Sequence, residues 1–247
     1  MVLFRMNSSP FSPGRRGEPP APDLTRELVR SAFPAPMPDD LSAMTLLDDD
    51  EIEASLDAAM ARAPDSRAVW LFGYGSLMWR PEIETAEARL AVVAGWHRRF
   101  CLWQWRSRGS RERPGLMLAL DRGGACKGVA FRVTGADLRA KLRAVWQREL
   151  RGNGYRARWM SVQTADGPVP AVTFVINRDC ERYAGRLDDA HAADHIATAF
   201  GSRGPSAEYL CETVLRCREL GIHDRYLWKL QALVAARLRA VTKSGVS

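Results

Sequence analysis

Between Leu71 and Ile176 one short segment after another carries strand character, and a single helical stretch interrupts them. The apolar run Val69-Trp70-Leu71-Phe72 comes first. Arg89–Ala94, Arg99–Trp105, Leu116–Leu120, Lys127–Val133, Trp159–Thr164 and Val169–Ile176 follow. Turn residues separate them, notably Arg113-Pro114-Gly115, Asp121-Arg122-Gly123-Gly124 and Ala165-Asp166-Gly167-Pro168. A doubly wound parallel sheet needs a helix between most successive strands, and this order does not supply them. The pattern predicts an α+β fold, with a small curved or barrel-like sheet and inserted helices.

The interrupting helix spans Ala136 to Leu150, with Thr134 and Asp137 as a capping-box start. After Ile176 the chain reads as helical: Leu187–Phe200 stopping at Gly201, Ser206–Leu220 stopping at Gly221, and Asp224–Leu238 with Asp224 as N-cap. Ahead of the strands, residues 7–40 are rich in Pro, Ser, Gly and charge, the composition of a flexible arm without a packed core. Leu41 to Ala61 has helical rhythm, offering Leu46, Leu47, Ile52, Leu56 and Met60 to one side, and Pro64-Asp65-Ser66 ends it. The expected organisation is therefore an arm over 1–40, a helical extension over 41–66, a compact domain over 67–241 and a tail over 242–247.

With 247 residues, 46% of them hydrophobic, the chain can bury one sizeable core, and two full domains would be cramped. The formal charge of +7 is mostly arginine and is spread along the chain, so it favours anionic ligands or aids solubility. The five cysteines form no C-x-x-C pair and are odd in number, which speaks against a disulfide framework or a zinc knuckle. A reducing, cytoplasmic location is expected. No apolar run is long enough to span a membrane. Met1 to Met6 is too short for a secretory signal, though arginine and serine with few acids near the start resemble an organelle transit peptide.

Two stretches carry chemistry. The first is Phe72-Gly73-Tyr74-Gly75-Ser76-Leu77, where a buried strand runs into a glycine-rich loop. Such a loop can aim several backbone N–H groups at a carboxylate or carbonyl oxygen; it can also be a turn and nothing more. The second is the end of the helix. Its apolar stripe, Leu138, Leu142, Val145 and Trp146, continues by steps of three and four onto Glu149. If Glu149 is buried, desolvation raises its pKa and suits it to take a proton and return it. Alternatively the helix frays, Leu150 takes the core place and Glu149 pairs with an arginine. Arg143 and Arg148 lie off the stripe and can face water.

These features together resemble the ChaC-type γ-glutamylcyclotransferases. The matching residues occur in the family's order: Phe72-Gly73-Tyr74-Gly75-Ser76-Leu77-Met78-Trp79 then Pro81; Gly95-Trp96-His97-Arg98-Arg99-Phe100; Arg113-Pro114-Gly115; Gly128-Val129-Ala130-Phe131-Arg132; Arg148-Glu149 before Gly154-Tyr155; and Gly204-Pro205-Ser206, Glu208-Tyr209-Leu210, Leu220-Gly221-Ile222 and Asp224. The resemblance runs from about Val69 to the last helix. It implies a γ-glutamylcyclotransferase-like small mixed β-barrel with surrounding helices. It also implies cleavage of a γ-glutamyl peptide, most typically glutathione, to 5-oxoproline and Cys-Gly, without cofactor or metal. By motif position Glu149 is the catalytic glutamate, and Phe72 to Leu77 form the loop that holds the γ-glutamyl group. Tyr155 and Tyr209 fall in matching segments and could line the pocket or simply pack.

Other residues offer competing readings. Trp103 to Glu112 is richer in arginine than the family pattern, so one of Arg106, Arg108 or Arg111 could pair with the far carboxylate of the peptide. The same interleaving of aromatics and arginines could bind nucleic acid, but the charge is not gathered into one stripe and no nucleic-acid motif is present. A γ-glutamyl-binding protein without catalysis, or a cyclotransferase for another γ-glutamyl peptide or amine, are the remaining readings. His191 and His195 lie one helical turn apart with Asp194 beside them, a spacing that can hold a metal, yet Cys and Glu ligands are missing nearby and the segment reads as an ordinary amphipathic helix. Ser76 has no motif-placed histidine partner, so substrate contact suits it better than nucleophilic attack.

Overall fold

The computed structural model describes residues 19–33 and 46–244. In chain order the elements are α1 (Arg26–Ala32), α2 (Asp49–Met60), β1 (Ala68–Gly73), a short 3-10 turn (Ser76–Met78), β2 (Glu87–Gln104), β3 (Gly115–Thr134), α3 (Leu138–Leu150), β4 (Tyr155–Thr164), β5 (Gly167–Ile176), α4 (Asp189–Thr198), β6 (Phe200–Gly201), β7 (Gly204–Pro205), α5 (Ser206–Glu219) and α6 (Arg225–Ser244). Strands β1 to β5 close a barrel in the order β1-β3-β2-β4-β5, with β3 also meeting β5. The barrel is mixed: β1 runs antiparallel to β3 and parallel to β5. The expected small mixed barrel with helices is thus the observed fold.

Two expected pairs of short strands are each one long strand. Arg89–Ala94 and Arg99–Trp105 merge into β2, and Leu116–Leu120 and Lys127–Val133 merge into β3. The expected turn at Asp121–Gly124 is a bend inside β3. Gly123 and Gly124 have φ of 105° and 67°, which lets the strand turn sharply without leaving the sheet.

The chain divides into two compact units. The first contains Leu46–His97 and Leu120–Val175. Its core gathers Leu71, Phe72, Val133, Leu142, Val145, Trp146 and Phe174, all nearly inaccessible to water. Trp146 meets Phe174 edge-on at 5.0 Å between ring centroids, and its indole N–H donates to Ser55 Oγ of α2 at 3.3 Å. A capping box at Asp48 and Glu51 starts α2, which buries Ile52, Leu56 and Ala59, whereas Leu46 is exposed. Asp137 precedes α3 but makes no side-chain capping bond, contrary to the expected capping box; its carboxylate pairs with Lys141 Nζ at 2.9 Å instead.

The second unit contains Arg98–Ala119 and the chain from Ile176 onward, together with residues 19–33. Here the expected unpacked arm is corrected. Leu24 is fully buried, its N–H donates to Gln231 Oε1 at 2.8 Å, and Thr25 caps α1 through Leu28 N–H. Arg26 forms a two-pronged pair with Glu212 of α5. The apolar side chains Leu24 and Val29 anchor this segment in spite of its proline-rich surroundings. The rest of the arm, residues 41–45 and the last three residues lie outside the described chain. Asp224 does cap α6, accepting from Tyr226 and Leu227 N–H, and it also takes a bond from the buried Arg98.

Ser206 at the start of α5 is fully buried and completes the backbone of Leu116: Leu116 N–H donates to Ser206 Oγ at 3.2 Å, and Ser206 Oγ donates to the Leu116 carbonyl at 3.0 Å. Ser206→Ala strands both groups. It should destabilise the protein by about 2 kcal/mol, read as a lower urea midpoint with an unchanged slope.

Candidate active site

The loop after β1 is clamped from below. The Phe72 carbonyl accepts from Thr173 Oγ1 at 2.8 Å, and Tyr74 Oη donates to the Phe174 carbonyl at 2.7 Å. Phe72, Gly73, Tyr74, Gly75 and Leu77 are buried, and only Ser76 of the expected loop is partly open. A side chain on Gly73 would put its Cβ 3.0 Å from Leu77 Cβ and 3.2 Å from the Phe131 ring, so any larger residue here would have to press its neighbours aside by a few tenths of an ångström. The side chains of Phe72, Tyr74 and Leu77 therefore hold the loop in place. What the loop offers a ligand is the Ser76 hydroxyl and the backbone, where the first turn of the 3-10 segment leaves N–H groups outside its own ladder.

Glu149 stands at the last turn of α3. Both expected alternatives hold in part. Leu150 does take the core place, at 2% exposure, while Glu149 sits at the edge of the stripe with its side chain 14% exposed. Its Oε1 is buried without a hydrogen-bond partner among the described residues. Arg148 Nε lies 3.2 Å from that oxygen, within ion-pair range but out of line for a hydrogen bond. Burial pushes the Glu149 carboxyl above its ordinary range; Arg148 offsets part of this and Glu82 adds to it.

Arg148, free by its place off the stripe to face water, is mostly engaged by the protein instead. Its Nη2 donates to Ser76 Oγ at 2.7 Å, and its Nη1 to the Arg80 carbonyl and to Glu82 Oε2 at 3.2 Å. One guanidinium thus touches the glycine loop, the segment that follows it and the suspected base. The sequence did hold a signal for it: a buried carboxylate needs a cation, and the nearest one in the chain is the residue before it.

After α3, Asn153 adopts a left-handed conformation with φ of 52°, and Tyr155 opens β4, half-buried. Tyr209 belongs to the second unit. It is buried on α5, edge-on to Phe100 at 6.0 Å, with the Arg108 guanidinium over its ring. Arg108 donates to the Pro205 carbonyl and to Glu208, so one of the three arginines considered for a far carboxylate is already paired. The aromatics of this stretch engage the protein itself: Trp103 packs edge-on to His195, and Trp105 lies under Arg111 and Arg182. The two histidines make separate contacts, His195 with the Pro114 carbonyl and His191 with Asp188. Among the described residues no cluster of three or more His, Cys, Asp or Glu could hold a metal ion. No described helix is long and apolar enough to cross a membrane.

A family model described as ChaC-like protein matches residues 69–237, which include the loop, Arg148, Glu149 and both tyrosines. The chain belongs to the ChaC-like family. Among relatives, the glutathione-specific gamma-glutamylcyclotransferase of Escherichia coli (strain K12) is 38% identical over 172 residues, covering 69% of this chain and 74% of that protein. Glutathione-specific gamma-glutamylcyclotransferase 1 of Danio rerio is 30% identical over 181 residues, covering 70% and 92%. A crystal structure of a gamma-glutamyl cyclotransferase specific to glutathione from yeast shares the fold of this ChaC-like chain. Its TM-score is 0.64 at 19% identity, covering 69% of this chain and 96% of that one.

Proposed function

We propose that this ChaC-like protein cleaves the γ-glutamyl bond of glutathione, releasing 5-oxoproline and Cys-Gly, with Glu149 as base and then acid. The observation that carries the reading is the buried Glu149 Oε1, without a hydrogen-bond partner among the described residues and joined through one guanidinium to the glycine loop. Family membership and the names of the relatives support the substrate.

The chemistry asks little beyond placement. The substrate's α-amino nitrogen attacks its own γ-carbonyl carbon, and the two groups sit in one small molecule, so holding a near-attack geometry removes much of the barrier. The amine is protonated at neutral pH. Glu149 takes that proton, the ring C–N bond forms, and the tetrahedral centre carries the oxyanion. Glu149 then returns the proton to the departing nitrogen as the γ-glutamyl C–N bond breaks, and the second proton shed by the ring nitrogen passes to the released amine, so that the lactam N–H is neutral and Cys-Gly leaves as an ammonium. Backbone N–H groups of Gly73 to Ser76 hold the α-carboxylate or the oxyanion. Each step is a proton transfer or a charge to be stabilised, so no metal or cofactor is called for. Lining roles for Tyr155 and Tyr209 rest on their places in the family pattern. The five free cysteines support a reducing, cytoplasmic setting.

The test is incubation of the purified protein with glutathione, following 5-oxoproline and Cys-Gly by mass spectrometry. Equal amounts of the two are expected. A folded protein that releases neither overturns the glutathione assignment. Release of 5-oxoproline from another γ-glutamyl peptide alone would keep the reaction and change the substrate. Because the base must be ionised and its carboxyl is held above the usual range in the free protein, kcat/KM should rise with pH along an acid limb lying above the ordinary glutamate value of about 4.3. An acid limb at or below that value would remove Glu149 as the titrating group.

A further inference from the structure

We propose that Arg148 is a positioning residue: its single guanidinium fixes the Ser76 loop and the Glu149 carboxylate in one geometry and ties down the end of the loop through Arg80 and Glu82. This deepens the reading of the site as a cyclotransferase centre and rests on it only for the kinetic part of the test.

An arginine carries five N–H donors in a rigid planar fork. Three of the groups around this fork belong to the segment after β1: Ser76 Oγ at 2.7 Å, the Arg80 carbonyl and Glu82 Oε2 at 3.2 Å. The fourth is Glu149 Oε1, 3.2 Å from Nε. The donor to Ser76 occupies a lone pair of that hydroxyl, which leaves its hydrogen to point elsewhere. The segment is also held in a conformation that needs outside support. Glu82 has φ of 56°, a left-handed backbone that a glutamate adopts only when its surroundings fix it. Those surroundings include Arg80 Nε at 2.9 Å from its carboxylate, and Arg148 on the other side. Arg148 is only 23% exposed, so the interactions are sheltered from solvent more than a surface pair would be. The charged groups that face Glu149 are Arg148 from its own helix and Glu82 from the loop segment. Arg148 therefore acts on both, as a link to the carboxylate and a counter-ion to the glutamate that opposes it.

Lysine keeps the charge but not the fork, and so separates the two effects. Arg148→Gln and Arg148→Lys would be compared with wild type by three readouts: kcat and KM with glutathione across pH, hydrogen exchange of residues 73–82, and titration of the Glu149 carboxyl by difference infrared spectroscopy against Glu149→Gln. Arg148→Gln should lower kcat/KM about 100-fold, in part through a raised KM, move the carboxyl titration to higher pH and speed exchange of the loop amides. Arg148→Lys should return the titration towards its wild-type position while KM and loop exchange stay raised. Unchanged loop exchange and an unmoved carboxyl titration in Arg148→Gln overturn the proposal, whether or not the wild type turns over glutathione. Full recovery of KM in Arg148→Lys would also overturn it, since a charge alone would then suffice. A wild type without 5-oxoproline release, but with both shifts present in Arg148→Gln, would overturn the glutathione reading and leave the positioning role standing.

Discussion

Glu149→Gln should lower kcat for 5-oxoproline release about 1,000-fold while changing KM only a few-fold. The amide has the shape of the acid but cannot take a proton from the substrate ammonium, and general acid–base groups contribute about 100- to 10,000-fold. Binding should survive because the loop is held by Thr173, Phe174 and Arg148, none of which needs the Glu149 charge. The same variant should be more stable than wild type at neutral pH. The folded-state pKa of Glu149 is raised, so between the unfolded and folded values the native state binds more protons than the unfolded one. Unfolding free energy then falls as pH rises through that window, and a neutral glutamine escapes the loss. The stability gain should be present at pH 7 and vanish near pH 4. Lost activity with gained stability marks a group retained for chemistry, whereas a structural glutamate would lose both. Wild-type kcat in Glu149→Gln would make this the wrong residue even if glutathione is the right substrate.

What could be read in advance follows from how local the cause is. Helix α3 and its stripe were legible because Leu138, Leu142, Val145 and Trp146 repeat at helical spacing, and the same repeat pointed to Glu149. Asp224 was legible as a cap for the same reason: its bonds reach only two and three residues along the chain. The continuity of β2 and β3 was not. Gly123 and Gly124 end most strands, and here they bend one, because closing a small barrel forces its strands to curve. The contact of Arg148 with the loop was not legible because those partners are distant. Ser76 lies 72 residues earlier, and nothing in the periodicity of α3 registers a bond of that length. Leu24 and Val29 were hidden by composition, since two apolar residues among prolines and charges average out in any window.

Gly128→Ala should be a strongly damaging small substitution in the barrel, at about 3 kcal/mol. A Cβ at this position would lie 2.3 Å from the Gly73 carbonyl oxygen and 2.8 and 3.0 Å from the Phe72 ring. Neither can step aside cheaply. Gly73 is locked in the antiparallel ladder opposite Val129, and Phe72 is completely buried with its own carbonyl tied to Thr173. Forcing extra volume into such packing costs about 1–3 kcal/mol, and a backbone obstacle puts this site at the upper end. The loop begins at Gly73, so the displacement also reaches the candidate site, and activity in the surviving folded fraction should fall about tenfold or more. Gly123→Ala is the matched control. Its φ of 105° penalises a side chain, but nothing lies within 4 Å of the added Cβ, so the cost should be about 1 kcal/mol with activity intact. Urea denaturation and glutathione turnover on both variants distinguish the two effects. If Gly128→Ala is no less stable than Gly123→Ala, the close approach of β3 to Gly73 does not hold the loop, and its geometry must come from the bonds of Arg148, Tyr74 and Thr173.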